Sequence, residues 1–361
     1  GDFQMKDISA VILVGGEGTR LRPLTLHTPK ALVPVVNKPL LSYIIEWFKY
    51  QHIYNLIFSV CYQPDKLKSV FGSGSKYGVH INYIVEKEPL GTGGAIKKAE
   101  RFFKNTTIVI NGDVLFDLDL ASMLNYHRSK KSKITIALTP VEDPTAYGLV
   151  KIDKSGRIIG FLEKPTWDEV GRQRNINAGV YIIEPSILKY IKPNKICSLE
   201  RNIFPELLLK KESFYGFVAK SMYWIDLGTH EKYRQAHQDI LEGKLTNTKY
   251  FKKFYVNNVA IGVGTKLSKK TELYGPVVIG ENCKIENKVT LNEFTVIGNR
   301  CHIAENVYLE RCIIWDDVII ESGARLTGCI IGKNSHIGSH SSISDGVVLG
   351  DNNRIQPYSY L

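Results

Sequence analysis

Apolar positions recur along this chain with two different periods, and the change of period divides it. From Ile8 to about Leu245, short β-branched runs alternate with helical patterns. SAVILVGG reads as a buried strand and LLSYIIEWFKYQ as an amphipathic helix, while NLIFSVCY, INYIV, TIVING and ITIALTPV read as further strands. This alternation predicts an α/β layered domain with a largely parallel sheet. Ligand sites in such sheets lie at the carboxyl ends of strands. Beyond a polar connector, TNTKYFKKFYVNN at 246–258, the spacing becomes six. Ile261, Leu267, Leu273, Ile279, Ile285, Leu291, Ile297, Ile303, Leu309 and Trp315 keep that interval, Ile320 and Leu326 continue after a slip of one, and Ile331, Ile337, Ile343, Leu349 and Ile355 follow a second slip. Six residues per face and three faces per turn predict a triangular parallel β-helix whose aliphatic residues fill the axis. The expected organisation is therefore a catalytic α/β domain over 6–245, a linker over 246–258 and a β-helix over 259–361.

Charge sharpens this division. Of the net +11, the first 258 residues hold all the excess, with 37 Lys and Arg against 25 Asp and Glu; residues 259–361 hold ten against eleven. A basic excess suits polyanionic partners. The lysines are scattered rather than gathered into an arm, which disfavours nucleic acid. No apolar run approaches the roughly 18 residues that a membrane span needs, so a cytoplasmic protein is expected. Six cysteines occur without C-x-x-C spacing, which argues against zinc or a redox pair. Cys283 and Cys301, eighteen apart, are expected to stack as thiols in the β-helix interior. His336 and His340 have H-x-x-x-H spacing, but on a β-helix that spacing does not form a metal-binding face.

The chemistry is concentrated behind the first strand, in LVGGEGTRLRPLTLHTPK at 13–30. The spacing fails the phosphate-loop pattern G-x-x-x-x-G-K-[ST], and Leu21 stands where a dinucleotide fingerprint needs glycine. What remains is a loop that can bring backbone N–H groups near a phosphate, with Arg20 and Lys30 able to grip a polyphosphate from two sides. Two further carboxylates follow apolar segments, Asp113 in NGDVLF and Asp226 in WIDLG. As a pair of hard oxygen ligands they suit Mg²⁺. Glu86 ends INYIV. Its carboxylate only accepts hydrogen bonds, so a base placed against it would suit guanine, which offers N1–H and an amino group side by side, whereas uracil, thymine or adenine would oppose it with an acceptor.

The opening stretch resembles the signature of the sugar-1-phosphate nucleotidylyltransferase family, G-G-x-G-T-R-L-x-P-L-T followed by P-K. EPLGTGGAI, NGDVLF, YGLV, EKP, NINAGVYI, SLERNIFPELL and YWIDLGTHEKY then occur in the family's order. The hexapeptide tail is similar to the left-handed β-helix of sugar nucleotidyltransferases and acyltransferases. The resemblance implies a Rossmann-like nucleotidyltransferase domain followed by a left-handed β-helix. The implied reaction is Mg²⁺-dependent direct attack of a sugar-1-phosphate oxygen on the α-phosphorus of GTP, giving a GDP-sugar and pyrophosphate. Mannose 1-phosphate is the first expectation for the sugar and heptose 1-phosphate the second; uridylyl or thymidylyl transfer to glucose 1-phosphate is a further alternative.

By the same resemblance Leu13, Gly15, Gly16, Gly18, Thr19, Arg20, Lys30, Glu86, Gly91 and Asp113 serve the nucleotide. Gly148, Glu163, Lys164, Asn177 and Gly179 serve the sugar phosphate, with Arg20, Lys30 and Lys164 as catalytic cations and Asp113 and Asp226 as metal ligands. Tyr147, Tyr181 and Trp224 line the site or belong to the core. An acetyltransferase tail and a noncatalytic regulatory subunit of the same fold are rivals from other classes. The first lacks an acetyl-CoA site in the sequence; the second is opposed by intact GGxGTR, GD and EKP residues. The charge-balanced β-helix is expected to carry self-association.

Overall fold

The computed structural model describes residues 5–245 and 258–361. The expected linker thus lies, apart from Asn258, outside the described residues. The chain forms two compact units: residues 1–16 with 43–226, and residues 17–42 with 227–361. The passage from one to the other falls inside the opening glycine loop, between Gly16 and Glu17. The segment 17–42 is therefore grouped with the β-helix, although its sequence neighbours form the sheet.

In the first unit, four strands run parallel in the order His80–Val85, Asn55–Val60, Ser9–Val14, Thr107–Asn111. Each matches a predicted β-branched run. The sheet then turns antiparallel: Asn175–Ile183 pairs with Thr107–Asn111, and also with Ile134–Pro140 and Gly148–Ile152. Ile158–Glu163 closes that edge beside Gly148–Ile152, and Phe214–Val218 lies parallel to Ile134–Pro140. The sheet is mixed, its parallel half carrying the first predicted strands. Val11, Val109, Ile136, Tyr181 and Phe204 are among the fully buried side chains of its core. Each such burial contributes about 1.5–3 kcal/mol.

In the second unit the hexapeptides build three stacked parallel sheets, of six, six and five short strands. Ile285, Leu291, Ile297, Ile303, Leu309, Ile320, Leu326, Ile331, Ile337 and Ile343 fill the axis as predicted. Trp315 does not. Ile297 stacks on Ile314 and Ile314 on Ile331, so Ile314 is the axial residue and the first slip falls between Leu309 and Ile314. Two adjacent apolar residues leave the period ambiguous there, and the smaller, β-branched one takes the interior. Cys283 and Cys301 stack as expected, their thiols donating to the carbonyls of Gly298 (3.0 Å) and Trp315 (3.1 Å). All six cysteines are free. His336 binds Glu321 and His340 stacks on Tyr358, so the two histidines have separate partners.

Candidate active site

The carboxyl edge of the parallel strands carries part of the expected nucleotide site of the first unit. Gly15 and Gly16 leave the end of Ser9–Val14, Glu86 follows His80–Val85, and Asp113 follows Thr107–Asn111. The ladder continues past the strand ends: Glu86 N–H donates to Val60 O (2.9 Å) and Gly112 N–H to Leu13 O (2.9 Å). Parallel pairing therefore fixes these backbones against one another. Gly15 and Gly16 are exposed. A Cβ on Gly16 would meet nothing within 4 Å among the described residues, and one on Gly15 only Cys61 Cβ at 4.0 Å. Neither glycine is needed for packing, which leaves open space above their backbone for a ligand.

Glu86 is 5% exposed. Its Oε2 accepts from Leu90 N–H at 3.4 Å, while Oε1 is buried with no hydrogen-bond partner among the described residues. Burial raises its carboxyl pKa, partly offset by the Leu90 N–H and by the charge of Lys98. The glutamate in the charged run EKE is thus enclosed and half satisfied. A buried acceptor left this way costs about 1–3 kcal/mol, which a ligand with paired donors would recover.

Asp113 and Asp226 are brought together by strand pairing. Val114–Phe116 and Trp224–Asp226 form a two-stranded antiparallel ladder in which Asp226 stands opposite Val114, the neighbour of Asp113. Asp226 Oδ1 accepts from Tyr147 OH at 2.9 Å. Among the described residues no group of three or more His, Cys, Asp or Glu is gathered for a metal. Two carboxylates fit a Mg²⁺ ion that takes its other positions from phosphate and water, the usual arrangement for that ion.

The sugar-phosphate candidates lie on the antiparallel half. Glu163 and Gly148 are register partners, and a Cβ on Gly148 would lie 3.0 Å from Glu163 Oε2. Lys164 is exposed and has φ +43°, left-handed backbone that lysine rarely adopts. Its N–H donates to Tyr147 O (2.9 Å), so one tyrosine ties both this turn and Asp226. Strained backbone of this kind concentrates at functional turns. Gly179, at φ +76°, packs against the Asn111 side chain, where a Cβ would lie 2.9 Å from Nδ2. Asn177 is engaged internally: Nδ2 donates to Tyr181 OH (2.7 Å) and Oδ1 accepts from Gly179 N–H (2.8 Å).

Gly91 has a reason of its own. At φ +74°, its Cβ would lie 2.6 Å from the carbonyl oxygen of Cys197, which also accepts from the N–H groups of Gly93 and Gly94. Close packing of the Gly91–Lys98 helix on this backbone accounts for the glycines of GTGGAI. Tyr181 is wholly buried and belongs to the core; Trp224 is half-buried and donates to Ala178 O. Glu200 is a residue the sequence reading passed over. Its carboxylate accepts from Thr92 (3.2 Å), Ser198 (2.9 Å) and Tyr181 (3.2 Å), joining the glycine helix to the strand that holds Asn177. The only signal was its place in SLERN.

The second unit holds Gly18, Thr19, Arg20 and Lys30. Gly18 is left-handed at φ +68°, and its carbonyl accepts from Thr25 Oγ1 (2.5 Å). Its backbone lies against Thr25 and Lys30, each within about 3 Å of where a Cβ would stand. Thr19–Leu21 and Lys30–Leu32 are single 3₁₀ turns, with Arg20 exposed and Lys30 half-buried. Arg22 pairs with Glu17 on the surface (3.6 Å).

The nucleotidyl transferase family matches residues 9–243, and the EIF2B subunit epsilon LbH domain matches residues 256–361. The chain is similar to a mannose-1-phosphate guanylyltransferase of Mycobacterium tuberculosis, at 41% identity over 65% of each chain. It is 40% identical to a D-glycero-alpha-D-manno-heptose 1-phosphate guanylyltransferase of Aneurinibacillus thermoaerophilus, over 64% of this chain and 98% of that one. It is 36% identical to the mannose-1-phosphate guanyltransferase of Yarrowia lipolytica, over 98% of this chain and 94% of that one. The crystal structure of HddC from Yersinia pseudotuberculosis superposes on 64% of this chain and 99% of its own, with 32% identity and a TM-score of 0.57. The chain belongs to the nucleotidyl transferase family.

Proposed function

We infer that this chain transfers GMP from GTP to a sugar 1-phosphate, releasing pyrophosphate and a GDP-sugar. The observation that carries the choice of base is the buried, unpartnered Oε1 of Glu86. Guanine N1–H and its amino group supply two donors to the two carboxylate oxygens, whereas uracil or thymine places an acceptor there. For the sugar, mannose 1-phosphate is favoured by the likeness to the Yarrowia lipolytica enzyme over nearly the whole of both chains. Heptose 1-phosphate is the second reading, carried by the likeness to the heptose enzyme along 98% of that protein's length.

The reaction joins a phosphate oxygen of the sugar 1-phosphate to the α-phosphorus of GTP. The bond from that phosphorus to the β-phosphate breaks, and pyrophosphate leaves with the electron pair. The attacking oxygen is already anionic, so no residue need remove a proton. The task is to bring two polyanions together. Gly15, Gly16, Gly18 and Thr19 offer backbone N–H groups to the triphosphate, while Arg20 and Lys30 hold it and then the departing pyrophosphate. Lys164, lifted by its left-handed backbone, neutralises the sugar phosphate. Glu163, Asn177 and the backbones of Gly148 and Gly179 receive sugar hydroxyls. Asp113 and Asp226 would hold Mg²⁺, which when bound offsets negative charge on the phosphates. Leu13 and Gly91 border the nucleotide.

The six free cysteines suit a reducing cytoplasm. Among the described residues, no helix is long and apolar enough to cross a membrane. The β-helix, nearly neutral and bearing exposed Tyr274, Tyr358 and Tyr360, is the surface through which we expect copies to associate. Light scattering on the full chain tests that expectation, and a monomer contradicts it. The function is tested by a matrix of nucleoside triphosphates against mannose, glucose, glucosamine and heptose 1-phosphates. GTP with mannose 1-phosphate is expected to release pyrophosphate fastest.

A further inference from the structure

One corner of the β-helix is lined with glycine. The residue after each axial aliphatic of one sheet is Gly262, Gly280, Gly298, Gly332 and Gly350, a column interrupted only by Trp315. Segment 17–42 lies on this corner. A methyl on Gly350 would stand 2.8 Å from Pro23 Cβ, so the proline rests directly on the bare backbone. Ile297 O, one residue before Gly298, accepts from Asn37 Nδ2 at 2.7 Å. Trp315 is 4% exposed, and its indole N–H donates to Tyr233 OH (3.1 Å), which in turn donates to Pro34 O. His230, at the start of the His230–Leu241 helix, shares a hydrogen bond with Leu21 O (3.1 Å), beside Arg20.

The docked tip is strained. Asn37 and Val36 form the turn between the two-residue strands Pro34–Val35 and Lys38–Pro39, with φ +63° and +47°. Valine in left-handed backbone is a genuine outlier, and Val36 is 1% exposed. Such a conformation persists only where its surroundings over-determine it. The hydrogen bond from Asn37 Nδ2 to Ile297 O ties this turn to the β-helix corner.

We propose that Trp315, with Asn37, is a positioning residue for the triphosphate grip: the β-helix corner sets the place of Arg20 and Lys30. This rests on the reading that segment 17–42 holds the triphosphate. Four ties to the rest of the unit lie close to the cations: Leu21 and Pro23 stand between Arg20 and Lys30, and Pro34 and Asn37 follow Lys30.

The test uses the full chain with Trp315→Phe, which keeps an aromatic ring and removes the N–H, and Asn37→Gly, which removes the amide and relieves the backbone. Binding of inorganic tripolyphosphate is measured by calorimetry, KM for GTP and for mannose 1-phosphate by pyrophosphate release, and thermal stability alongside. Each variant is expected to bind tripolyphosphate about 10-fold more weakly, a loss of about 1.4 kcal/mol. KM for GTP rises to match, while KM for mannose 1-phosphate and the melting temperature of Asn37→Gly hold. Unchanged tripolyphosphate affinity in Asn37→Gly, or a wild type that does not bind it, overturns the proposal. A wild type that binds tripolyphosphate but turns over no guanine nucleotide defeats the functional reading alone; the weaker binding of the variants would still support the tie.

Discussion

Glycines at the ends of strands do opposite work in two regions of this molecule. At the carboxyl edge of the sheet, Gly15 and Gly16 face open space, and a Cβ on Gly16 would touch nothing within 4 Å among the described residues. In the β-helix, Gly280, Gly298 and Gly332 face the backbone of the next coil, where a Cβ would be crushed. The fold requires the second set and not the first. A glycine the fold does not require, placed where parallel strands end, is room kept for something that is not protein. A similar contrast separates polar side chains. Glu86 keeps a buried oxygen unpaired, while Thr265 and Ser335 in the β-helix are matched, to Gly280 O (2.6 Å) and Gly350 O (3.1 Å).

Substitutions can break or sharpen this contrast. The largest effect is expected at the metal pair. Asp113→Asn and Asp226→Asn should each lower kcat by roughly 10³-fold or more with the melting temperature nearly unchanged, because they remove ion ligands and little packing. Turnover at wild-type level in either variant would remove the carboxylates from the mechanism. Next comes Gly332→Ala, whose Cβ would collide with the Gly350 backbone. Denaturant unfolding should show a loss of about 2–4 kcal/mol, on the scale of overpacked or strained positions; a neutral result would mean that the coil spacing relaxes freely.

Gly16→Ala is the complement. Stability should hold or rise by up to ~1 kcal/mol, since alanine fits and narrows the unfolded ensemble. GTP turnover should fall about 10–100-fold as the methyl enters the ligand's space. Full activity would deny that the open backbone serves the nucleotide.

The smallest effect is a pH dependence. Burial holds the Glu86 carboxyl pKa above its ordinary value. Its protonated form is therefore the one the fold prefers, and the associated stability is present at low pH and lost as pH rises through the folded pKa. Without ligand, Glu86→Gln should be more stable than wild type by ~1 kcal/mol at neutral pH, with the difference closing on acidification. A gap that widens toward low pH would contradict the burial argument.

The hexapeptide period made the β-helix legible almost coil by coil, because each aliphatic recurs on a fixed geometric interval. The parallel strands were legible because each is a short β-branched run. What escaped was non-local. Asn37 meets Ile297 across 260 residues, and no local pattern announces that part of the glycine signature rests on the β-helix. Trp315 was assigned to the axis because Ile314 beside it is equally apolar; only the column of glycines at the same position of neighbouring coils marks it as outward. Glu86 is legible in the sequence as an acceptor at a strand end, but its enclosure within the charged run EKE depends on the sheet around it. The sequence marks Gly91 as a neighbour of the nucleotide, and its close approach to Cys197 adds a packing reason that no local pattern announces.

The central claim is that a half-satisfied, buried Glu86 selects the base. Its most direct test is kcat/KM for GTP against UTP and dTTP, in wild type and in Glu86→Gln, with mannose 1-phosphate as acceptor. The account predicts a preference for GTP of about 100-fold or more in wild type, on the scale of a mismatched polar site, and a preference at least 10-fold narrower in the variant. A wild type that prefers UTP or dTTP, or a glutamine variant that keeps the full preference, would contradict it.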